Sequence, residues 1–162
     1  MKAAGRATVV GDDVDTDVIF PARYLAVLSR EDQAKYLFEP LGPQFRERLS
    51  AGGVLVAGWN FGCGSSREHA VTALLGADVK LVIAKSFSRI FFRNAVNLGL
   101  PVVAAPDLVS AIRDGDDVEV DLSSGLAQVG KKYFSLTPLP PNLLAILAGG
   151  GLWATRQKKS NG

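Results

Sequence analysis

Apolar residues along this chain follow two spacings, short continuous runs and a period of three to four, and through residue 104 the two kinds alternate. The run Val54-Leu55-Val56-Ala57, opened by Gly52-Gly53 and closed by Gly58, predicts a short buried strand. Beyond it, residues 68–76 carry apolar side chains at helical spacing and end on Gly76, which predicts a helix that stops there. The pair recurs as a strand over 80–84, a helix over 87–98 and a strand over 101–104. Ahead of them the pattern gives a strand at 7–10, a long acidic loop, and helices over 31–38 and 43–49. Later, 118–122 and 126–129 flank Ser123-Ser124-Gly125 as a hairpin, and a helix over 141–147 ends at Gly149-Gly150-Gly151. Strand, helix, strand, helix, strand implies a layered α/β domain, with the hairpin as a β addition.

Composition narrows the function class. With 162 residues, 48% hydrophobic and 21% charged, the chain is sized for one domain with a substantial core. We expect that domain over 1–155, followed by a frayed basic tail over 156–162. No apolar run is long enough to cross a bilayer and the first residues lack a secretory leader's apolar stretch, so the cytoplasm is expected. A net charge of +2, without a basic stripe, gives no argument for nucleic acid.

The chemistry concentrates in Asn60-Phe61-Gly62-Cys63-Gly64-Ser65-Ser66-Arg67-Glu68-His69, a glycine-rich turn between a strand and a helix. Unpaired N–H groups and the positive dipole end at a helix start favour a carboxylate, a phosphate or a developing alkoxide. Three familiar turns are excluded by single residues. A dinucleotide fingerprint needs glycine where Arg67 stands, and a P-loop ends in Lys-Ser or Lys-Thr. A hydrolase elbow needs glycine two residues after the nucleophile, where Ser65 has Arg67 and Ser66 has Glu68. The plain alternative is a connection in which Ser65 or Ser66 caps the helix and Glu68 completes a capping box with Ser65.

The acidic segment Asp12-Asp13-Val14-Asp15-Thr16-Asp17 has the density of a calcium loop but not its pattern. Counting from Asp12, the sixth and twelfth positions hold Asp17 and Arg23 instead of glycine and glutamate, so a loop of Asx-type turns is the simpler reading. One Cys and one His cannot build a closed zinc site or hold an iron–sulfur cluster, so no metal is expected on this chain.

Four segments in order carry a family likeness: residues 11–25, with Asp15-Thr16-Asp17 and Pro21-Ala22-Arg23-Tyr24-Leu25; residues 60–68; Lys85-Ser86-Phe87-Ser88-Arg89-Ile90; and Phe91-Phe92-Arg93-Asn94 through Gly99-Leu100-Pro101. Together they resemble the swivelling domain of the aconitase superfamily, and within it the free-standing small subunits of the isopropylmalate dehydratase and homoaconitase type. The resemblance implies a three-layer swivelling β/β/α fold. It also implies a hydro-lyase in which a separate large subunit carries a [4Fe–4S] cluster and this chain closes over it. Ser65 is then the base that removes a C–H proton as an alkoxide, and Ser66 and Arg67 bind a substrate carboxylate. Gly62 and Gly64 shape the turn, and Asp17 holds a nearby cation, Arg67 or Arg89. Arg89 and Arg93 are expected behind the site or at a subunit interface. Cys63 is read as a small packing residue and His69 as a structural hydrogen-bonding group.

In such relatives the residues after Tyr-Leu face the substrate's variable group, and an arginine directly after the leucine accompanies an extra carboxylate. Arg23, Tyr24, Leu25, Ala26 and Val27 are accordingly candidate substrate residues. Ala26 at that place makes the wall apolar and favours an alkyl-substituted malate, unless Arg30 folds inward. The expected activity is the interconversion of 2- and 3-isopropylmalate by dehydration and rehydration. The alternatives are homoaconitase-type or dimethylmalate-type substrates and, in another class, a non-catalytic anion-binding module. In isolation the chain is open to self-association.

Overall fold

Lys2–Val9 forms β1, a strand with two different neighbours. In the computed structural model, which describes residues 1–161, its second half runs parallel to β2 (Val54–Ala57), with Ala7 opposite Val54. Its first half runs antiparallel to β5 (Asp117–Asp121), with Lys2 opposite Asp121. Beyond β2 lie β3 (Leu81–Ala84) and β4 (Val102–Ala104), both parallel; beyond β5 lie β6 (Leu126–Val129) and β7 (Lys132–Ser135), both antiparallel. The order is β4-β3-β2-β1-β5-β6-β7.

The connections place the helices. Between β1 and β2 come α1 (Thr16–Ile19), α2 (Arg30–Ala34) and α3 (Pro43–Leu49); α4 (Glu68–Gly76) joins β2 to β3, and α5 (Arg89–Leu98) joins β3 to β4. After β4, α6 (Pro106–Ala111) leads to β5, and α7 (Pro141–Ala148) and α8 (Leu152–Ser160) end the chain.

Strands β2 and β3 are apolar at every position because both faces are covered, as parallel strands demand. Leu55, Ala57, Val82 and Ala84 meet α4, α5 and the α1–α3 segment through Leu74, Val71, Phe91 and Phe20. The alternate residues Val54, Val56, Leu81 and Ile83 share a second core with Val118 and Val120 of β5 and Ala127 of β6. The β5–β7 meander therefore lies over the parallel strands, giving a β layer, a β layer and a helical layer. That is the expected three-layer α/β architecture, with one long strand shared by both sheets.

Several elements differ from the sequence expectation. Part of the acidic loop is helical, because Asp15 Oδ1 caps α1 by accepting from the Val18 N–H at 2.9 Å. α2 stops at Ala34, short of residue 38. β1 begins at Lys2, and α6 and β7 are additional. The basic run Arg156 to Lys159 lies on helix α8, in place of a frayed tail, with its side chains in solvent. No helix among the described residues is long and apolar enough to cross a membrane.

Candidate active site

The carboxyl ends of β1, β2 and β3 open onto one corner, where crossover loops in open α/β sheets gather ligands. The loop after β1 and the loop after β2 run side by side. Asp13 N–H donates to Trp59 O at 2.8 Å, Gly62 N–H to Val14 O at 2.8 Å, and Thr16 N–H to Cys63 O at 2.9 Å. The loop after β3 is stitched on the other side, with Phe61 N–H donating to Ser86 O and Ser88 N–H to Phe61 O. Ser88 does two jobs: its Oγ accepts from Phe91 N–H to cap α5 and donates to Gly62 O at 2.8 Å.

This packing explains the glycine at 62. Its φ of +80° is left-handed, and a β-carbon there would fall 2.5 Å from Phe91 Cβ. The aspartates act as loop-building acceptors. Asp12 takes the Trp59 N–H, Asp13 the Asn60 side chain, Asp15 the Val18 N–H and Asp17 the Ala22 N–H. Asp12 and Asp13 thus reach across to the loop after β2, while Asp15 and Asp17 bind N–H groups three and five residues on, a set of helix-capping and loop-to-loop bonds in place of the expected Asx-type turns.

At the centre is a shallow cleft walled by Thr16, the 62–67 turn, and Ile90, Phe91 and Asn94 from the first turns of α5. Its enclosed space is about 10 Å³, room for one water. Ser65 and Ser66 are both exposed here. Neither caps α4, whose N-cap is Arg67 with no side-chain cap hydrogen bond, so the capping alternative for these serines is overturned. Ser65 is instead held through its backbone: Thr16, 3% exposed, donates its hydroxyl to Ser65 O at 3.0 Å.

Arg67 is the site's best-sheltered cation, its side chain 12% exposed against 65% for Asp17. Nη1 donates to Phe20 O at 2.8 Å and to Asp17 Oδ1 at 3.1 Å, and Nη2 approaches Ser65 Oγ at 3.4 Å. Of the two cations considered for Asp17, it is therefore Arg67. The Nε–Nη2 edge meets no carboxylate among the described residues and keeps the paired donors that a carboxylate accepts. The Ala22 N–H first, and the Arg67 guanidinium second, hold the Asp17 carboxyl below its ordinary 3.8.

The segment after Phe20 is anchored at both ends. Arg67 and Asp17 grip Phe20 O and Ala22 N–H, and the buried Gln33 donates Nε2 to Val27 O at 2.9 Å while accepting from Thr72 of α4. Between these anchors Leu25 and Ala26 are exposed, and Leu28 is 88% exposed. Tyr24 stacks on Tyr36 at 3.9 Å, and Arg23 lies over the Tyr24 ring in an ion pair with Glu39. None of residues 23–27 walls the serine cleft in this chain alone. Arg30 is remote: its backbone carbonyl abuts Gly76, at the opposite end of α4 from Arg67.

Three further residues depart from or refine expectation. Arg89 is turned away from Asp17 and lines a separate groove between α5 and α7. His69 stacks on Phe20 with ring centroids 5.6 Å apart, a packing role in place of a hydrogen-bonding one. Cys63 is half-buried, and burial first, then Asp15 and Asp13, push its thiol above the ordinary value, which opposes nucleophilic or ligand use. Thr16, Ile90 and Asn94 are site residues that sequence reasoning passed over, although all three stand inside the quoted motifs. Among the described residues no group of three or more His, Cys, Asp and Glu side chains is arranged to hold a metal ion.

Comparison with known proteins gives a consistent set. The family model described as the aconitase C-terminal domain matches residues 43–107. The 3-isopropylmalate dehydratase small subunit of Methanosarcina mazei is 51% identical over 150 residues, covering 91% of this chain and 92% of that protein. The corresponding subunit of Aquifex aeolicus is 48% identical, covering 98% and 96%. Among solved structures, the crystal structure of 3-isopropylmalate dehydratase from Methanocaldococcus jannaschii superposes with a TM-score of 0.89 at 42% identity, covering 99% of this chain and 96% of that one.

Proposed function

The chain belongs to the family of 3-isopropylmalate dehydratase small subunits, and we propose that it supplies the proton-transferring and carboxylate-binding half of a site completed by a large subunit. The reaction is the interconversion of 2- and 3-isopropylmalate, in which hydroxyl and hydrogen leave adjacent carbons and return exchanged. The carrying observation is the Ser65–Arg67–Asp17 corner, an exposed serine hydroxyl beside a largely sheltered arginine at a shallow cleft.

Removing an unacidified C–H proton requires a strong base at a fixed position. Ser65 Oγ is exposed for it, and the Arg67 guanidinium 3.4 Å away lowers the cost of an alkoxide there. The proton moves from the substrate carbon to Ser65 Oγ and is returned from it to the neighbouring carbon. Ser66 and the free edge of Arg67 hold a substrate carboxylate and so fix which carbon faces Ser65. A single thiol, with its ionisation disfavoured, does not fit a cluster on this chain. A [4Fe–4S] cluster held by the large subunit would supply the Lewis acid that takes the hydroxyl.

The exposed apolar segment Leu25-Ala26 and the distance of Arg30 support an alkyl-substituted malate over a tricarboxylate. The test is reconstitution with a large subunit under anaerobic, reducing conditions, followed by kcat/KM on isopropylmalate, dimethylmalate and cis-homoaconitate. Isopropylmalate is expected to lead by about 10-fold or more, in line with one misplaced carboxylate in an apolar wall. Equal or better turnover of homoaconitate overturns the substrate assignment, and inactivity with every large subunit overturns the enzyme reading.

A further inference from the structure

Helix α5 has two working sides. Ile90, Phe91 and Asn94 wall the serine cleft. Around the helix from them, Arg89, Phe92, Arg93 and Val96 line a groove of about 420 Å³ with Leu143 and Ile146 of α7. The spacing of 89, 92, 93 and 96 is that of one helical stripe. α7 is apolar yet only partly covered, and on the adjoining α8 Trp153 is 71% exposed. Ile90, on the ridge between cleft and groove, is 50% exposed. Arg89 and Arg93 are exposed, and neither meets a carboxylate among the described residues.

We infer that the α5–α7 groove is the docking surface for the large subunit, which seats apolar side chains on Phe92, Val96, Leu143 and Ile146 and places carboxylates against Arg89 and Arg93. The inference rests on the proposed function. A cleft with room for one water must be covered by whatever completes it, and α5 forms both its wall and the groove's, so a cover over the cleft continues onto the ridge and into the groove. An apolar floor rimmed by charge is the anatomy of a specific interface. Charge selects the occupant, because a second copy in an isologous contact would bring the same unpaired guanidinium groups toward one another.

The test measures Kd between this chain and the large subunit that gives activity with wild type, comparing Arg93→Glu, the pair Arg89→Glu with Arg93→Glu, and Ile146→Ser. Lys131→Glu with Lys132→Glu, on the exposed β7 side, is the control. Reversal of both arginines is expected to weaken binding by about 10-fold or more at low salt, with the difference shrinking in high salt, as for steered rim charges. Ile146→Ser is expected to weaken it at every salt concentration, and the control to stay within about twofold of wild type. Kd unchanged for both the double reversal and Ile146→Ser overturns the inference, as does sedimentation showing that these variants abolish a dimer of this chain instead. Failure of every large subunit to activate the wild-type chain sinks the underlying reading and is a separate outcome.

Discussion

Replacing Thr16 by valine tests whether the corner owes its activity to how the serine turn is held. Valine keeps the shape of a side chain that is 3% exposed and deletes one interaction, the hydroxyl's 3.0 Å bond to Ser65 O. A net intramolecular hydrogen bond contributes about 1 kcal/mol, and Ser65 is exposed, so its freed carbonyl can take water. The cost to folding stays at that figure, a drop in Tm of roughly 2–4 °C for a domain of this size. The cost to catalysis is larger. Thr16 N–H still binds Cys63 O, so the turn loses the one of its two bonds from Thr16 that lies on Ser65 itself, and Ser65 Oγ drifts. A misplacement near 1 Å lowers the rate by roughly 10²-fold. Thr16→Val is therefore expected to lower kcat by about 10- to 100-fold with little change in Tm, and Thr16→Ser to restore most of it. Thermal unfolding of the chain and steady-state kinetics of the reconstituted enzyme give both numbers. A Val variant with wild-type kcat, or a Ser variant as impaired as the Val one, refutes the reasoning.

Ser65→Ala is expected to lower kcat by at least about 10²-fold without loss of subunit association; an active variant returns the motif to a structural turn. Asp17 has a depressed carboxyl pKa, so the stability from its contacts with Ala22 and Arg67 is fully present above the unfolded value of 3.8 and is lost as pH falls through the lower folded-state value. Tm values of wild type and Asp17→Asn should differ at pH 7, begin to approach one another near pH 3.8 and converge only once pH has fallen through the lower folded-state value, and an offset that persists in strong acid contradicts this. Burial raises the Cys63 pKa, so alkylation at pH 7 should run slower than for a free thiol, and rapid labelling of the folded chain would expose a misread environment.

Where local signals agree, the sequence was enough. Glycines bracketing an apolar run bound β2, Pro43 opens α3, and Gly76 ends α4. The Lys2–Arg6 half of β1 has no strand signature, with Ala3, Ala4 and Gly5 at its centre, and exists because β5 offers it a ladder. α6 has six residues and β7 four, too short for a period to declare itself. In the site, the Ser65, Arg67 and Gly62 positions were legible because their chemistry is local to one turn. Thr16 and Asn94 were not singled out, because their roles depend on which loop lies beside which. The choice between Arg67 and Arg89 as the partner of Asp17 stayed open because helical phase decides which side of α5 Arg89 occupies.

The divided pairing of β1 also sets an order of assembly. Its inner half needs residues 54–56, roughly fifty positions later, whereas its outer half waits for residues 117–121, more than twice as far along, and closure grows costlier with span. A nascent chain can thus complete the parallel layer, both site helices and the serine cleft by residue 104 while Lys2–Arg6 still has no partner. Until β5 arrives, that half-strand is an open edge and the apolar underside of β2 and β3 is uncovered. The chemistry is built first, and protection from aggregation comes last.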